Sequence, residues 1–188
     1  MLLAELGKTS SQLRDMALLA LPCGLRAGEI FNLKSQDLDF ENRLITISDP
    51  KNKESRKAFM TNAVKEMLLA RVTGKPDELI FKARNHHGRI KAISQAFRKA
   101  VDGLGFNKGI SDPRQVITFH LLRHTFASWL ALQGEPILTI KELLGHKILT
   151  MTQRYAQLVR DHKRNATLRL ENLFNKKVEK QLQQVEKF

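Results

Sequence analysis

This 188-residue chain has a single cysteine, which rules out an intrachain disulfide and a cysteine-built metal cage. That residue, Cys23, stands in the apolar run ALLALPCGL and reads as a small buried side chain rather than a nucleophile. Such cysteine usage fits a reducing interior. Long hydrophobic runs are also missing. No uninterrupted apolar stretch approaches the roughly 20 residues that span a bilayer. At the N-terminus Glu5 and Lys8 interrupt a short apolar patch, so no leader pattern is present. Acids are scarce: 19 Asp and Glu face 32 Lys and Arg, a formal net charge of +13. With 42% hydrophobic residues the chain is long enough and apolar enough for one folded domain. A domain that basic meets a polyanion, with nucleic acid first and an anionic membrane surface as the competing partner. Tyrosine is the last scarcity. Ten phenylalanines accompany one phenol, Tyr155, in the polar stretch TMTQRYAQL. A buried ring needs no hydroxyl, so this one invites a chemical reading beside the plainer one of a half-buried ring with a wet tip.

Periodicity supplies the coarse plan. TSSQLRDMALLAL reads as a helix capped by Thr9 or Ser10, with PCG as its break. LRAGEIFNL reads as a second, short helix. DLDFENRLITIS alternates on either side of a turn at Glu41-Asn42, and RKAFM supplies a third strand after the charged turn DPKNKES. TNAVKEMLLARV returns to helical spacing with Thr61 as cap, and the second half of KARNHHGRIKAISQAFRKAV is helical with Phe97 and Val101 on its apolar face. Three helical pieces follow, HLLRHTFASWLALQ, LTIKELLG and TMTQRYAQL, then a charged helix to the end. The expected fold class is α+β, mainly helical, with a small antiparallel sheet near the N-terminal third.

Three stretches carry chemistry. In HLLRHTFASWLALQG, a rotation of about 100° per residue puts His120 and Arg123 about 60° apart. Leu122, Phe126, Trp129 and Leu130 form the expected buried face, and Gly134 the stop. The two basic groups are either a solvated face or an anion site near a helix N-terminus. His124 falls near the same edge and reads as structural. In GLRAGEI, Arg26 and Glu29 are either a surface pair at i and i+3 or a device in which Glu29 holds the Arg26 fork for a phosphate. PKNKESRK places lysines at a hairpin tip, where a long side chain either stays in water or swings into a site.

In chain order these pieces run Arg-x-x-Glu, hairpin lysine, His-x-x-Arg, Gly-His and Tyr. From about Ser10 to Val159 the chain resembles the catalytic domain of tyrosine recombinases, the phage-integrase family. GLRAGEIFNLKSQDLDF, LLRHTFASWLALQG and ELLGHKILTMTQRYAQL carry the resemblance. It implies a helical recombinase catalytic domain over residues 1–175. Residues 176–188 would be a helical tail, either packed on its own domain or exchanged between protomers. The family's helical DNA-clamping domain is not represented, so the resemblance implies a fragment or a short member. The implied catalytic set is Arg26, Lys51, His120, Arg123, His146 and Tyr155, supported by Glu29. Lys53 is the alternative to Lys51, because turn lengths vary. Leu121 stands where the family commonly has Asp, and Cys23 where it usually has Thr.

The activity so implied is site-specific strand cleavage and rejoining through a 3′-phosphotyrosine, in integration or excision of a mobile element, without metal or cofactor. Tyr155 would attack phosphorus, Arg26 and Arg123 hold the non-bridging oxygens, His120 take the phenol proton, Lys51 protonate the departing 5′ oxygen and His146 add a hydrogen bond. Implied partners are duplex DNA sites, further copies in a tetramer, and accessory bending or directionality proteins. The implied location is the cytoplasm, with the nucleoid, for a bacterial or phage-encoded protein. A catalytically silent DNA-binding protein of the same fold and a type IB topoisomerase-like enzyme are the alternatives. For backbone contact the basic candidates are Lys53, Arg56, Lys82, Arg84, Arg89, Lys91, Arg98 and Lys99, most of them in the acid-free run 82–101. His86 and His87 read as loop residues near that surface, not metal ligands.

Overall fold

Ser10 sets the first corner of the molecule. Its backbone N–H donates to Leu6 O and closes helix α1 (Leu2–Thr9), while its hydroxyl accepts from Leu13 N at 3.2 Å and opens α2 (Ser11–Cys23). The computed structural model describes residues 1–49, 54–85, 88–159 and 167–176. Helix α2 runs through Pro22 rather than stopping before it. Gly24 ends it with a φ of 66°, a left-handed conformation that glycine adopts without a Cβ penalty. Helix α3 (Ala27–Asn32) follows at once.

Strands β1 (Leu38–Asp39), β2 (Leu44–Asp49) and β3 (Glu54–Phe59) form an antiparallel sheet in that order, as expected of the alternating segments. In the β2–β3 register Ile45 faces Ala58 and Ile47 faces Arg56. Directly opposed residues share a face of the sheet. Ile45, Ile47 and Ala58 are buried, so Arg56 is turned toward the protein interior. Helix α4 (Asn62–Leu69) is capped by the Thr61 hydroxyl, and α5 (Gln95–Gly103) buries Phe97, Ala100 and Val101. Helices α6 (Phe119–Leu132), α7 (Ile137–Leu144) and α8 (Thr150–Gln153) follow, and residues 167–176 form a further, exposed helix. TMTQRYAQL is not one helix: α8 gives way to a turn at Arg154-Tyr155 and a 3-10 turn at Ala156–Val159.

Two apolar clusters result. The larger joins α1 to α5 and the sheet with Phe119 and Leu122 of α6. The smaller joins Ala127, Ala131, Ile140, Leu144 and Tyr155. Helix α6 therefore serves both, and Arg123 sits between them. Its buried face is Phe119, Leu122, Arg123, Ala127 and Ala131, rotated from the expected one, and Trp129 is left half exposed. Small alanines let α7 and the Tyr155 turn approach closely, which a tryptophan on that face would prevent. Among the described residues no helix is long and apolar enough to cross a membrane.

Candidate active site

Glu29 organises the site. At the third position of α3 its carboxylate accepts the Arg26 backbone N–H at 2.7 Å and Arg26 Nη1 at 2.9 Å. Arg56 Nη2 donates to the same carboxylate at 2.7 Å, and Arg123 Nη1 lies 3.8 Å from it. Three guanidinium groups thus surround one acid.

The other half of their support is the end of α7. Gly145, with a φ of 60°, terminates that helix, and His146 N–H reaches back to Lys141 O at 3.0 Å. The following carbonyls are left for outside donors. Arg56 Nη1 donates to Leu143 O at 2.9 Å, Arg123 Nη2 to Leu144 O, and Arg26 Nη2 to Gly145 O at 3.3 Å. Arg123 Nη1 also donates to Gly24 O. Cations at a helix C-terminus are favoured by its dipole. Gly145 is needed for a second reason: a Cβ there would lie 2.3 Å from Arg56 Cδ.

Beside the guanidiniums lies a row of rings. His120 and His124, one turn apart on α6, meet edge to face at 4.6 Å. His124 Nδ1 lies 2.5 Å from Tyr155 Oη, and the Tyr155 ring is buried in the smaller cluster. His146 Nδ1 lies 2.9 Å from Thr152 Oγ1, a fully buried hydroxyl.

This setting works against charge on the imidazoles. Burial, reinforced by Arg123, Arg26 and Arg154, lowers the pKa of His120 below 6.5. Burial, His120, Arg154 and Arg123 do the same to His124, and burial with Arg123, Arg26 and Arg154 brings His146 down to about 4. Burial also pushes Arg123 down to about 9, still protonated at neutral pH, with Arg26 repelling it and Glu29 favouring its charge. The Tyr155 phenol is raised by burial, against Arg154 and Arg123, which favour the phenolate. At neutral pH the site holds three cations, one carboxylate, three neutral imidazoles and a phenol, an arrangement suited to an anion beside a nucleophile.

Of the expected site residues, Arg26, Glu29 and Arg123 are joined directly. His120 and Tyr155 are linked through His124, and His146 follows the Gly145 carbonyl that Arg26 holds. Lys51 and Lys53 lie outside the described residues, as do His86 and His87. Arg56 differs from its expected place on a DNA-facing surface: its side chain is 14% exposed and its guanidinium is bonded to Glu29 and Leu143. The signal was present, because alternation from Ala58 places Arg56 on the inner face. His124, read as structural, touches the phenol, and its position four residues after His120 puts it on that edge of the helix.

The remaining basic candidates lie apart from this cluster. Arg84, Arg89, Lys91, Arg98 and Lys99 are exposed. Lys82 pairs with Glu78, and Arg98 lies 3.6 Å from Asp102. Arg84, Arg89 and Lys91 help line a cleft of about 420 Å³ against Ser10 and Gln12 at the start of α2.

The sequence profile of the phage integrase family matches residues 1–162. This chain belongs to the phage integrase family. The tyrosine recombinase XerA of Saccharolobus solfataricus is 36% identical over 151 residues, which cover 80% of this chain and 47% of that protein. A tyrosine recombinase of Pseudothermotoga lettingae is 33% identical over 164 residues, 84% of this chain and 54% of that one. The chain therefore spans about half the length of these relatives. Among solved structures, the Tn1549 transposon integrase in complex with circular intermediate DNA superposes with a TM-score of 0.73 at 25% identity, over 90% of this chain and 64% of that one. The catalytic domain of bacteriophage HP1 integrase superposes with a TM-score of 0.63 at 27% identity, over 88% of this integrase-family chain and 87% of that one. The fold is thus that of an integrase catalytic domain: mainly helical, with a small three-stranded antiparallel sheet.

Proposed function

We propose that this chain is the catalytic domain of a site-specific DNA recombinase that breaks and rejoins strands through a 3′-phosphotyrosine. The observation that carries the reading is the convergence of Arg26, Arg56 and Arg123 on Glu29, beside the one tyrosine of the chain. Three cations and one carboxylate leave a local excess of two positive charges. A phosphodiester entering the site brings one negative charge, and a second develops as the nucleophile adds. Arg26, with its side chain 37% exposed, is the guanidinium most open to that anion. Arg123 is nearly buried and presents what its carbonyl partners leave free.

In this reading Tyr155 Oη bonds to phosphorus, the 5′ oxygen departs and is protonated by Lys51 or Lys53, and His146 donates to the phosphoryl oxygens. The covalent bond preserves the phosphodiester energy, so a 5′ hydroxyl can attack and rejoin the strand. Residues 1–175 form the catalytic unit, and 176–188 are assigned to a tail, of which 177–188 lie outside the described residues. Duplex recombination sites, a tetramer on DNA, accessory proteins and a location with the DNA in the cytoplasm complete the proposal. The exposed basic groups of 84–99 supply salt-dependent backbone contacts.

The test is covalent capture. The purified protein is mixed with a pool of nicked duplexes carrying a random-sequence arm, and products are resolved on a denaturing gel. The expected result is a protein–DNA adduct that disappears in Tyr155→Phe while DNA binding remains. Binding with no adduct supports the silent DNA-binding alternative. Plasmid relaxation without site preference supports a topoisomerase-like enzyme.

A further inference from the structure

We infer that Thr152 is a positioning residue: its hydroxyl donates to Nδ1 of His146 and so holds the imidazole hydrogen on Nε2, ready for a phosphoryl oxygen. This rests on the reading of His146 as a donor to the phosphate. Thr152 is wholly buried, and its Oγ1 lies 2.9 Å from His146 Nδ1. Both partners are fixed through their backbones. His146 N–H is tied to Lys141 O at the end of α7, and the Gly145 carbonyl before it accepts from Arg26. On the other side, Thr152 N–H donates to Leu149 O at 2.8 Å, and Tyr155 N–H donates to Thr152 O at 3.0 Å. One residue therefore braces both the His146 ring and the turn that carries the phenol.

The direction of the bond follows from the surroundings of the hydroxyl. A hydroxyl has one hydrogen to donate, and a buried donor left unpaired is costly. Among the described residues His146 Nδ1 is the only hydrogen-bond partner of Thr152 Oγ1. Thr125 on α6 shows the other course open to a helical threonine: its hydroxyl turns back to Leu121 O, one turn earlier, at 3.0 Å. Among the described residues Thr152 has no such carbonyl partner, so its hydrogen goes to the imidazole and Nδ1 accepts.

The consequence is electrostatic. Burial and the cations Arg123, Arg26 and Arg154 keep His146 neutral at pH 7, so its ring has one hydrogen and one lone pair. With Nδ1 accepting from Thr152, the hydrogen sits on Nε2 and that nitrogen is a donor. In the opposite tautomer Nε2 would present a lone pair, which an anion's oxygens repel. Thr152 thus sets the sign of the His146 contact with phosphate without adding charge to the site.

Valine matches threonine in shape but lacks the hydroxyl, and serine keeps the hydroxyl without the methyl. Single-turnover adduct formation is therefore followed in the wild type, Thr152→Val, Thr152→Ser, His146→Ala and the double variant Thr152→Val/His146→Ala, on duplexes captured by the wild type. Thr152→Val should bind DNA normally and form adduct on the order of 10- to 100-fold more slowly, the usual cost of losing a partner that orients a functional histidine. Thr152→Ser should restore most of the rate. The double variant should be no slower than His146→Ala alone, because the hydroxyl acts through that ring. Wild-type rates in Thr152→Val, or a full further loss in the double variant, would overturn the inference; the latter would place the role of Thr152 in the Tyr155 turn. Should the variants fail to fold, ring ¹⁵N shifts of His146 in the unmodified protein decide. At pH 7 Nε2 must carry the hydrogen and Nδ1 must not; the opposite tautomer contradicts the assignment. Absence of any wild-type adduct, or an undiminished rate in His146→Ala, instead breaks the underlying reading of the site, and the ring-nitrogen measurement still decides the direction of the Thr152 bond.

Discussion

Asp15 and Glu29 are both acids held among arginines, yet the two settings differ in charge and in what covers the cations. Asp15 on α2 takes Arg71 through Nε and Nη2 at 2.8 and 2.5 Å, and Arg14 Nε at 2.9 Å. The Arg71 guanidinium is covered on one face by the Phe81 ring, 5.1 Å away. Arg14 is 45% exposed, so water screens the unmatched charge. This is a staple between α2 and the chain after α4. Glu29 holds three arginines, of which Arg56 and Arg123 are only 14% and 3% exposed. Their further partners are the dipolar carbonyls at the end of α7, not carboxylates. Excess charge shielded from water is costly to keep and favourable to neutralise, the condition for tight anion binding.

That contrast is open to direct attack. Removing Glu29 should have the largest effect, because it leaves buried cations facing one another. Glu29→Ala is expected to cost about 3–5 kcal/mol, and more than Asp15→Ala, where Arg14 can turn into water. Urea denaturation of both variants gives the ordering; an Asp15→Ala loss equal to or above that of Glu29→Ala breaks the comparison. Next in size is Gly145→Ala. Its left-handed backbone alone should cost about 1–2 kcal/mol, and the new Cβ drives Arg56 off Leu143 O. An unchanged urea midpoint would mean that the arginine cluster is loose.

The smallest effect concerns pH. The folded-state pKa values of His120, His124 and His146 lie below the value of about 6.5 in unfolded chains. Between those values the unfolded chain binds more protons. The contribution of these neutral imidazoles is fully present above about pH 6.5 and is lost as pH falls, through about 4 for His146. Urea midpoints from pH 7.5 to 4.5 should fall more steeply in the wild type than in His146→Gln. Identical slopes would remove His146 from the electropositive site.

Local chemistry was readable where one residue decides the outcome. Ser10 and Thr61 announce helix starts by their hydroxyls, and both accept the expected N–H groups. The alternation in LITIS needs only a period of two to give its strand. Arg26, Glu29 and Arg123 carried their own spacing and do meet. What was not readable depends on partners far along the chain. Trp129 looked like core, but the face of α6 that is buried is chosen by α7 and Tyr155, which pack on alanines. Arg56 looked like a surface base because charge outweighed alternation, and its acid lies 27 residues away. His124 gains its meaning only when the chain returns to place Tyr155 against it, 31 residues later. TMTQRYAQL has helical spacing, yet a turn at Arg154-Tyr155 delivers the phenol to the row of rings.

The central claim is that Tyr155 becomes bonded to DNA phosphorus beside the Glu29 cluster. Trypsin cuts after Arg154 and frees a peptide beginning at Tyr155. Digesting the captured adduct with nuclease and trypsin, followed by fragmentation mass spectrometry, reads the attachment atom directly. A nucleotide 3′-phosphate on the tyrosine of that peptide is the predicted result. The same mass on a serine, threonine or histidine elsewhere contradicts the account.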